Sequence, residues 1–150
     1  MSAYLISSVF PDLNVWIALS STRHVHHSQA IRWFHTLEET QLIFCRYTQL
    51  GFLRLLTTEA VMGSDTLSHR QAWEEYDAWL QSGVAVFLDE PRQLEQTFRS
   101  LSAQPRSSPK EWADSYLGAF SIASGIRLVT FDRGLKSRVK EAILLRAELY

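Results

Sequence analysis

The sequence predicts an α/β fold in three layers, with helices on both faces of a central parallel sheet of four or five strands. Short apolar runs alternate along the chain with longer segments whose apolar residues recur at helical spacing, which is typical of a parallel sheet. Two of the apolar runs stop at an aspartate, Asp12 and Asp132. The carboxyl ends of parallel strands open onto one crevice, so these two acids are expected to converge there.

Four strands are predicted from the apolar runs, and a fifth is left open. The runs cover residues 9–10, 42–45, 84–88 and 128–131. Residues 139–149 are ambiguous, because the apolar segment 142–145 fits either a fifth strand or a terminal helix. No repeat, low-complexity stretch or linker divides the chain, so residues 1–150 are interpreted as a single domain.

The first helix boundaries follow from capping residues and apolar spacing. Asp12 is predicted to cap a helix over 13–19, because its carboxylate can accept a backbone N–H of the first turn. Thr48 is interpreted as the N-cap of a helix that carries Leu50, Leu53 and Leu56. Residues 25–37 show an apolar stripe at helical spacing, formed by Val25, Ile31, Phe34 and Leu37.

Two later helices are predicted to begin with a capping box, in which two residues three apart satisfy each other's backbone N–H groups. The first ends before residue 83 and the second before residue 125, with Asp114 in the second turn of the latter. A further helix is predicted over 91–103. The two capping boxes are Ser68 with Gln71 and Ser108 with Glu111.

Composition sets limits on the class of protein. A chain of 150 residues with 46% hydrophobic residues is able to bury a core. The net charge of −1 gives no global basic surface for nucleic acid, although five cations cluster near the C-terminus. The single cysteine, Cys45, excludes an internal disulfide, and no apolar run approaches about 20 residues. We therefore expect a cytoplasmic protein that does not enter a membrane. The cations are Arg127, Arg133, Lys136, Arg138 and Lys140.

Four short motifs in order along the chain indicate a family. Together they resemble the PIN-domain ribonucleases, in particular the VapC-type toxins of bacterial toxin–antitoxin pairs, and the resemblance covers nearly the whole chain. It implies a PIN-like fold. The motifs are Pro-Asp-Leu-Asn-Val-Trp (11–16), Thr-Gln-Leu-Gly-Phe-Leu-Arg-Leu-Leu (48–56), Ala-Asp-Ser-Tyr-Leu (113–117) and Leu-Val-Thr-Phe-Asp-Arg-Gly (128–134).

The resemblance also implies the site residues. Asp12, Asp114 and Asp132 match three acids of the PIN pattern, which are expected to be catalytic and to bind Mg²⁺ or Mn²⁺. Gln49 stands at a catalytic position where the pattern usually has Glu. Its neutral amide removes one negative charge, so we expect either weaker metal binding or reliance on another acid, Glu59 or Asp65.

Three further positions near these acids are less specific. Thr130 matches a hydroxyl position and Asn14 a polar position of the family, and both residue types are more often structural than catalytic. Arg133 follows Asp132 and is interpreted either as a contact to the RNA backbone or as a surface charge at a strand end.

The function implied is that of a metal-dependent endoribonuclease toxin that cleaves a structured cellular RNA, with tRNA as the expected substrate. A cognate VapB-like antitoxin is expected to hold it inactive, and a homodimer is expected. The alternative that Gln49 leaves open is a catalytically degenerate PIN module that binds RNA or protein without cleavage. A phosphoaspartyl enzyme with Asp12 as nucleophile fits poorly, because Asn14 stands where a haloacid-type phosphatase needs an acid or threonine.

Histidines and tryptophans offer alternative functional interpretations. His24, His26 and His27 lie close together, but zinc sites need three or four N or S ligands and no cysteine lies near them. His24 and His27 are therefore interpreted as the start of the second helix. Trp112 lies beside Asp114 and is interpreted either as part of the core or an interface or as a ring on which an RNA base stacks. Three aromatic residues are expected to leave an exposed apolar patch: Trp33, Phe34 and Trp79.

Overall fold

A five-stranded parallel sheet forms the centre of the molecule. The structure is a computed structural model that describes residues 7–146. All strand pairings are parallel, and the spatial order of the strands is β3-β2-β1-β4-β5. The prediction of an α/β fold with a parallel sheet is confirmed. The strands are β1 (Ser7–Pro11), β2 (Thr40–Phe44), β3 (Ala85–Phe87), β4 (Arg127–Thr130) and β5 (Ile143–Leu144).

The strand order places a crevice between β1 and β4. The chain winds from β1 outward to β3 and then returns to the other side of β1 as β4. Such a reversal separates the connections that leave two neighbouring strands, and ligands of open α/β sheets bind at this point. Asp12 follows β1 and Asp132 follows closely after β4, so both acids lie at the reversal.

Helices cover both faces of the sheet. Those that follow β1 and β2 pack on one face around Trp16, which stacks on Phe44 with ring centroids 3.7 Å apart. Those that follow β3 and β4 pack on the other face around Phe10 and Phe120. The helices are α1 (Leu13–Ser20), α2 (His27–His35), α3 (Arg46–Leu56), α4 (Glu59–Met62), α5 (His69–Gln81), α6 (Leu94–Ser102), α7 (Glu111–Ser124) and α8 (Arg133–Arg138), with a 3₁₀ turn at Gly63–Asp65.

Several predicted helix boundaries are confirmed. Asp12 caps α1, and the capping box of Ser68 and Gln71 opens α5 with hydrogen bonds of 3.1 and 2.9 Å. Gly125 ends α7 with a φ of 70°, a left-handed conformation that glycine adopts at little cost. Gly51, within α3, lies against Leu13, where an added Cβ would approach Leu13 Cδ2 to 2.6 Å. Glycine therefore lets α3 pack closely on the first turn of α1.

Two predicted N-caps were wrong. Cys45, rather than Thr48, precedes α3, and the Thr48 hydroxyl instead accepts a hydrogen bond from the Cys45 backbone N–H at 3.0 Å. Ser108 does not cap α7, because residues 109–110 form a turn and the helix begins only at Glu111. Asp114 consequently lies in the first turn of α7 and not in its second.

The apolar surface also differs from the prediction. Trp33, Phe34 and Trp79 are half-buried against the core, and Trp79 Nε1 donates to Ser20 Oγ at 3.1 Å. Val25 lies before α2 and is exposed, so it is not part of the stripe. The large apolar side chains that are exposed include Leu50, Trp73 and Trp112.

The C-terminal part contains one element that the sequence did not suggest. The ambiguous segment forms β5, beside β4, which resolves it as a strand. The short helix α8 between β4 and β5 was not predicted. Residues 147–150, which include the end of the ambiguous segment, lie outside the described residues. Between residues 7 and 146, no helix has the length and apolar character needed to cross a bilayer.

Candidate active site at the crevice between β1 and β4

Asp12 is held rigidly at the end of β1. Its backbone N–H donates to Val129 O of β4 at 2.9 Å, which continues the pairing of the two strands. Its Oδ1 accepts from Val15 N at 3.1 Å, so the carboxylate caps α1 while lying almost fully buried, with 5% exposure. The N-cap therefore fixes the side chain in the crevice.

Thr130 connects Asp12 to Asp132. It is the last residue of β4 and is fully buried. Its hydroxyl donates a short hydrogen bond to Asp12 Oδ2 and accepts one from the Asp132 backbone N–H at 2.9 Å. Both acids are thus positioned by the same hydroxyl, which gives Thr130 a positioning role beside them.

Asp132 caps α8 with one oxygen. Its Oδ1 accepts from Gly134 N at 2.7 Å and from Leu135 N at 3.1 Å. Within the part of the chain that the structure describes, no hydrogen bond reaches its other oxygen, Oδ2. The exposed carboxylate is therefore fixed in orientation and keeps one oxygen for a ligand.

The three acids share an electrostatic environment. Burial raises the pKa of Asp12 to about 6, against the hydrogen bonds from Thr130 and Val15, and the charge of Asp132 raises it further. The pKa of Asp114, which is half-buried, is also raised by burial and then by Asp132. Asp132 is therefore the common neighbour of the other two acids. Negative charge that is gathered in this way favours a bound cation.

Arg138 is a site residue that sequence reasoning missed. It lies at the end of α8, where its guanidinium donates to Ser115 Oγ at 2.6 Å and to Leu101 O at 3.0 Å. Its charge lowers the pKa of Asp114, partly opposing burial. One short helix thus places Asp132 at its start and ties its end to the first turn of α7. The sequence showed Arg138 only as one of five clustered cations.

The donor atoms fit a hard divalent cation in an open site. Among the residues from 7 to 146, no three side chains of His, Cys, Asp or Glu are placed to enclose a metal ion by themselves. Mg²⁺ does not require this, because it usually keeps several waters and binds through one or two carboxylates and a substrate phosphate. Carboxylates also suit Mn²⁺. The metal site remains a prediction.

Gln49 faces different partners from the three acids. It is buried in α3, where its Oε1 accepts from Arg46 Nη1 at 2.5 Å and its side chain hydrogen-bonds to Tyr76. No hydrogen bond joins it to Asp12, Asp114 or Asp132 in the described range. The role of Gln49 in the site stays a prediction. The structure shows that its amide oxygen accepts a hydrogen bond from the guanidinium of Arg46.

The remaining candidates lie at the surface or have structural contacts. Asn14 is exposed and hydrogen-bonds to Asp12 through its backbone N–H. Glu59 is exposed in α4 and Asp65 is exposed in the 3₁₀ turn, both beyond the C-terminal end of α3. Asp12, Asp114 and Asp132 differ in position, because they follow strands or lie at the start of a helix. Arg133 is exposed next to Asp132 in the first turn of α8.

The histidine group is built into the start of α2. His24 Nδ1 accepts from the His26 backbone N–H at 3.0 Å, and His27 Nδ1 lies 2.7 Å from Ala18 O. The His26 ring stacks on Phe131 at 4.5 Å, directly beside Thr130 and Asp132 in the chain. These contacts give the histidines a structural role next to the crevice.

The sequence matches one family model and several curated relatives. Residues 9–141 match the model described as PIN domain. Ribonuclease VapC41 of Mycobacterium tuberculosis is 40% identical over 126 residues, which cover 81% of this chain and 86% of that protein. Ribonuclease VapC44 of the same organism is 28% identical over 130 residues, covering 83% of this chain and 85% of that protein.

Solved structures share the fold. The crystal structure of M. tuberculosis VapC20, described as a sarcin–ricin loop cleaving toxin, has a TM-score of 0.62 at 17% identity and covers 86% of this chain and 93% of its own. The structure of FitAB bound to a DNA fragment has a TM-score of 0.58 at 14% identity and covers 95% and 99%. At these identities the likeness is one of fold.

Proposed function

We propose that this chain, which belongs to the PIN-domain family as a VapC-type ribonuclease, is an endoribonuclease toxin that uses Mg²⁺ or Mn²⁺ at Asp12, Asp114 and Asp132. The observation that supports the metal most strongly is electrostatic. Asp132 raises the pKa of both other acids, and among the described residues no positive side chain shifts the pKa of Asp12. A divalent cation would stabilise the ionised form of a buried carboxylate that lies near another carboxylate.

Different residues of the chain would have different roles at such a metal site. A bound Mg²⁺ would act as a Lewis acid that neutralises charge on a scissile phosphate and lowers the pKa of a water molecule. Thr130 holds Asp12 and Asp132 in fixed positions, so little reorganisation is needed when an ion binds. The positive charge of Arg138 offsets part of the negative charge of Asp114. Arg133, exposed beside Asp132, is available for a phosphate of the RNA.

We propose tRNA as the substrate class, in keeping with the resemblance to VapC-type toxins. Since the similar structure VapC20 is described as a toxin that cleaves the sarcin–ricin loop, ribosomal RNA is the second substrate to compare. One observation favours the alternative of a degenerate module. The family's usual glutamate is here Gln49, which binds Arg46 within its own helix.

Cleavage by the pure protein separates these functions. We expect cleavage of tRNA at defined positions in Mg²⁺ or Mn²⁺ and complete loss of cleavage in EDTA, with recovery when the metal is restored. Total tRNA and ribosomal RNA are incubated with the protein, and the 5′ ends of the products are mapped. Cleavage that persists in EDTA would contradict the metal site. RNA binding without any cleavage would support the degenerate module.

We further propose two protein partners: a second copy of the chain and a VapB-like antitoxin. Exposed Leu50 and Trp73 line a groove of about 330 Å³ between α3 and α5, which offers an apolar surface for self-association. The three acids offer a place for an arginine of the antitoxin, because charge-assisted hydrogen bonds between guanidinium and carboxylate groups are strong.

Light scattering after size exclusion tests both partners. Alone, the protein is expected to have twice the mass of one chain. Co-expressed with the product of the adjacent reading frame, it is expected to elute as a larger complex that does not cleave RNA. Changing the partner's arginine to alanine should restore cleavage. A monomer at high concentration would contradict self-association, and full activity of the complex would contradict inhibition at the acids.

A further inference from the structure

A pocket lined by several polar side chains and one tryptophan lies at the start of α7, the helix that carries Asp114. Its volume is about 250 Å³, and it is formed by the connection from α6 to α7 and by the first turn of α7. Trp112 lines it and is 58% exposed, more than any other tryptophan among the described residues. We refer to this space as the Trp112 pocket.

The exposure of Trp112 has no structural explanation in its surroundings. Its one ring contact in the described range is to Phe98, with centroids 6.0 Å apart and tilted by 45°. A large aromatic side chain left in water forgoes the free energy that burial would give it. Exposed aromatic rings next to polar groups are characteristic of sites where a flat ligand stacks.

The lining of the Trp112 pocket also includes hydrogen-bonding groups. Gln104 Nε2 donates to Glu111 Oε2 at 2.5 Å, and Arg106 Nη2 lies 3.8 Å from Glu111 Oε1. The hydrogen bond from Gln104, followed by that from Ser108, lowers the pKa of Glu111, so this carboxylate is an acceptor at neutral pH. An amide, a guanidinium and a carboxylate side by side offer both donors and acceptors to the edge of a base.

The Trp112 pocket and the candidate active site share one turn of helix. Trp112 precedes Asp114 by two residues, and Ser115, which lines the pocket, accepts the hydrogen bond from Arg138. Lys110 begins the same turn and lowers the pKa of Asp114 by its charge. A nucleotide bound here would therefore lie within a short length of RNA from a phosphate at the three acids.

We propose that the Trp112 pocket binds one unpaired nucleobase of the RNA substrate, stacked on Trp112 with its edge toward Gln104 and Glu111. The inference rests on the proposed function, since it assigns a base-binding subsite to the same active site. Stacking on an aromatic ring tolerates any base, so Trp112 supplies affinity. The edge contacts supply a preference for one base at one position of the RNA.

Binding of abasic RNAs tests this subsite. The protein carries Asp132→Asn and is kept in EDTA, so that binding is measured without cleavage. The probes are a fluorescent single-stranded RNA of about 12 nucleotides and a series in which each position in turn lacks its base. Removal of the base at one position is expected to weaken binding by about 5- to 100-fold, the range seen for stacked bases. Trp112→Ala should weaken the intact RNA equally.

The double change isolates the contact. In the Trp112→Ala protein, the abasic RNA at the sensitive position should bind no worse than the intact RNA, because the base has already lost its partner. Trp112→Phe should keep most of the affinity. Ile122→Ala is the control, since Ile122 is 51% exposed on the same helix, ten residues away. Thermal melts confirm that each variant is folded.

The outcomes separate the subsite from the nuclease activity. A sensitive position that disappears in Trp112→Ala supports the subsite even if the wild-type protein cleaves no RNA. Equal losses at every abasic position, an unchanged affinity of Trp112→Ala, or no RNA binding at any concentration up to about 100 μM would each overturn it. The last result would do so even if cleavage were observed.

Discussion

Replacing Asp132 by asparagine is expected to lower the rate of RNA cleavage by about a hundred- to a thousandfold, the usual effect of losing one group that stabilises charge in a transition state. The reason is that Asp132 is the acid whose charge acts on both other acids. Asparagine caps a helix about as well as aspartate, so the bonds to Gly134 N and Leu135 N should survive. Initial rates at saturating Mg²⁺ measure the effect.

A matched acid elsewhere shows whether the loss is specific. Asp77 is exposed on α5, and Asp77→Asn should cleave at the parent rate and melt at the parent temperature. Asp12→Asn and Asp114→Asn should each lose about as much activity as Asp132→Asn. The combination of two such changes should add little, because groups that act as one unit do not contribute additively. A fully active Asp132→Asn protein would contradict the assignment of the site.

The second large effect concerns stability. Because burial raises the pKa of Asp12 from 3.8 to about 6, the ionised carboxylate destabilises the metal-free fold. The stability that the protonated Asp12 carboxyl contributes is therefore fully present below pH 4, and this contribution is lost as the pH rises through 6. A difference of about two pKa units corresponds to about 3 kcal/mol. In EDTA at pH 8, Asp12→Asn should be more stable than the parent by an amount approaching this value.

Urea unfolding at several pH values measures the second effect. The advantage of Asp12→Asn should shrink toward zero near pH 4, where the parent carboxyl is protonated and resembles the amide. Millimolar Mg²⁺ should stabilise the parent at pH 8 and leave Asp12→Asn nearly unchanged, since only the parent gains a ligand for its buried charge. If the free energies of unfolding of the two proteins changed in parallel with pH, ionisation of Asp12 would not destabilise the fold.

Local chemistry explains which parts of the fold were predictable. Asp12 and the pair Ser68 and Gln71 are capping residues whose partners lie within three positions, so the sequence alone contains both members of each hydrogen bond. The strand runs were also found, because parallel strands that are buried on both faces are continuous apolar segments. The convergence of Asp12 and Asp132 then follows from the position of each at a strand end.

Some of the features that escaped prediction depend on contacts distant in the chain. Arg138 reaches Ser115 and Leu101, 23 and 37 residues away, so its spacing in the sequence looked like that of any surface cation. The spacing of Ser108 and Glu111 fits a capping box, but a turn at 109–110 intervenes and the helix starts later. Gln49 accepts from Arg46 within α3, but its hydrogen bond to Tyr76 depends on how α3 packs on α5, which no local pattern encodes.

Titration of the metal-free protein with Mn²⁺ in a calorimeter tests most directly whether the three acids share one ion. We expect saturable binding of Mn²⁺ to the parent and to Asp77→Asn. This binding should be lost in Asp132→Asn, in Asp12→Asn and in the variant that combines these two changes. Equal affinity of the parent and Asp132→Asn for Mn²⁺ would contradict a shared metal site at the crevice between β1 and β4.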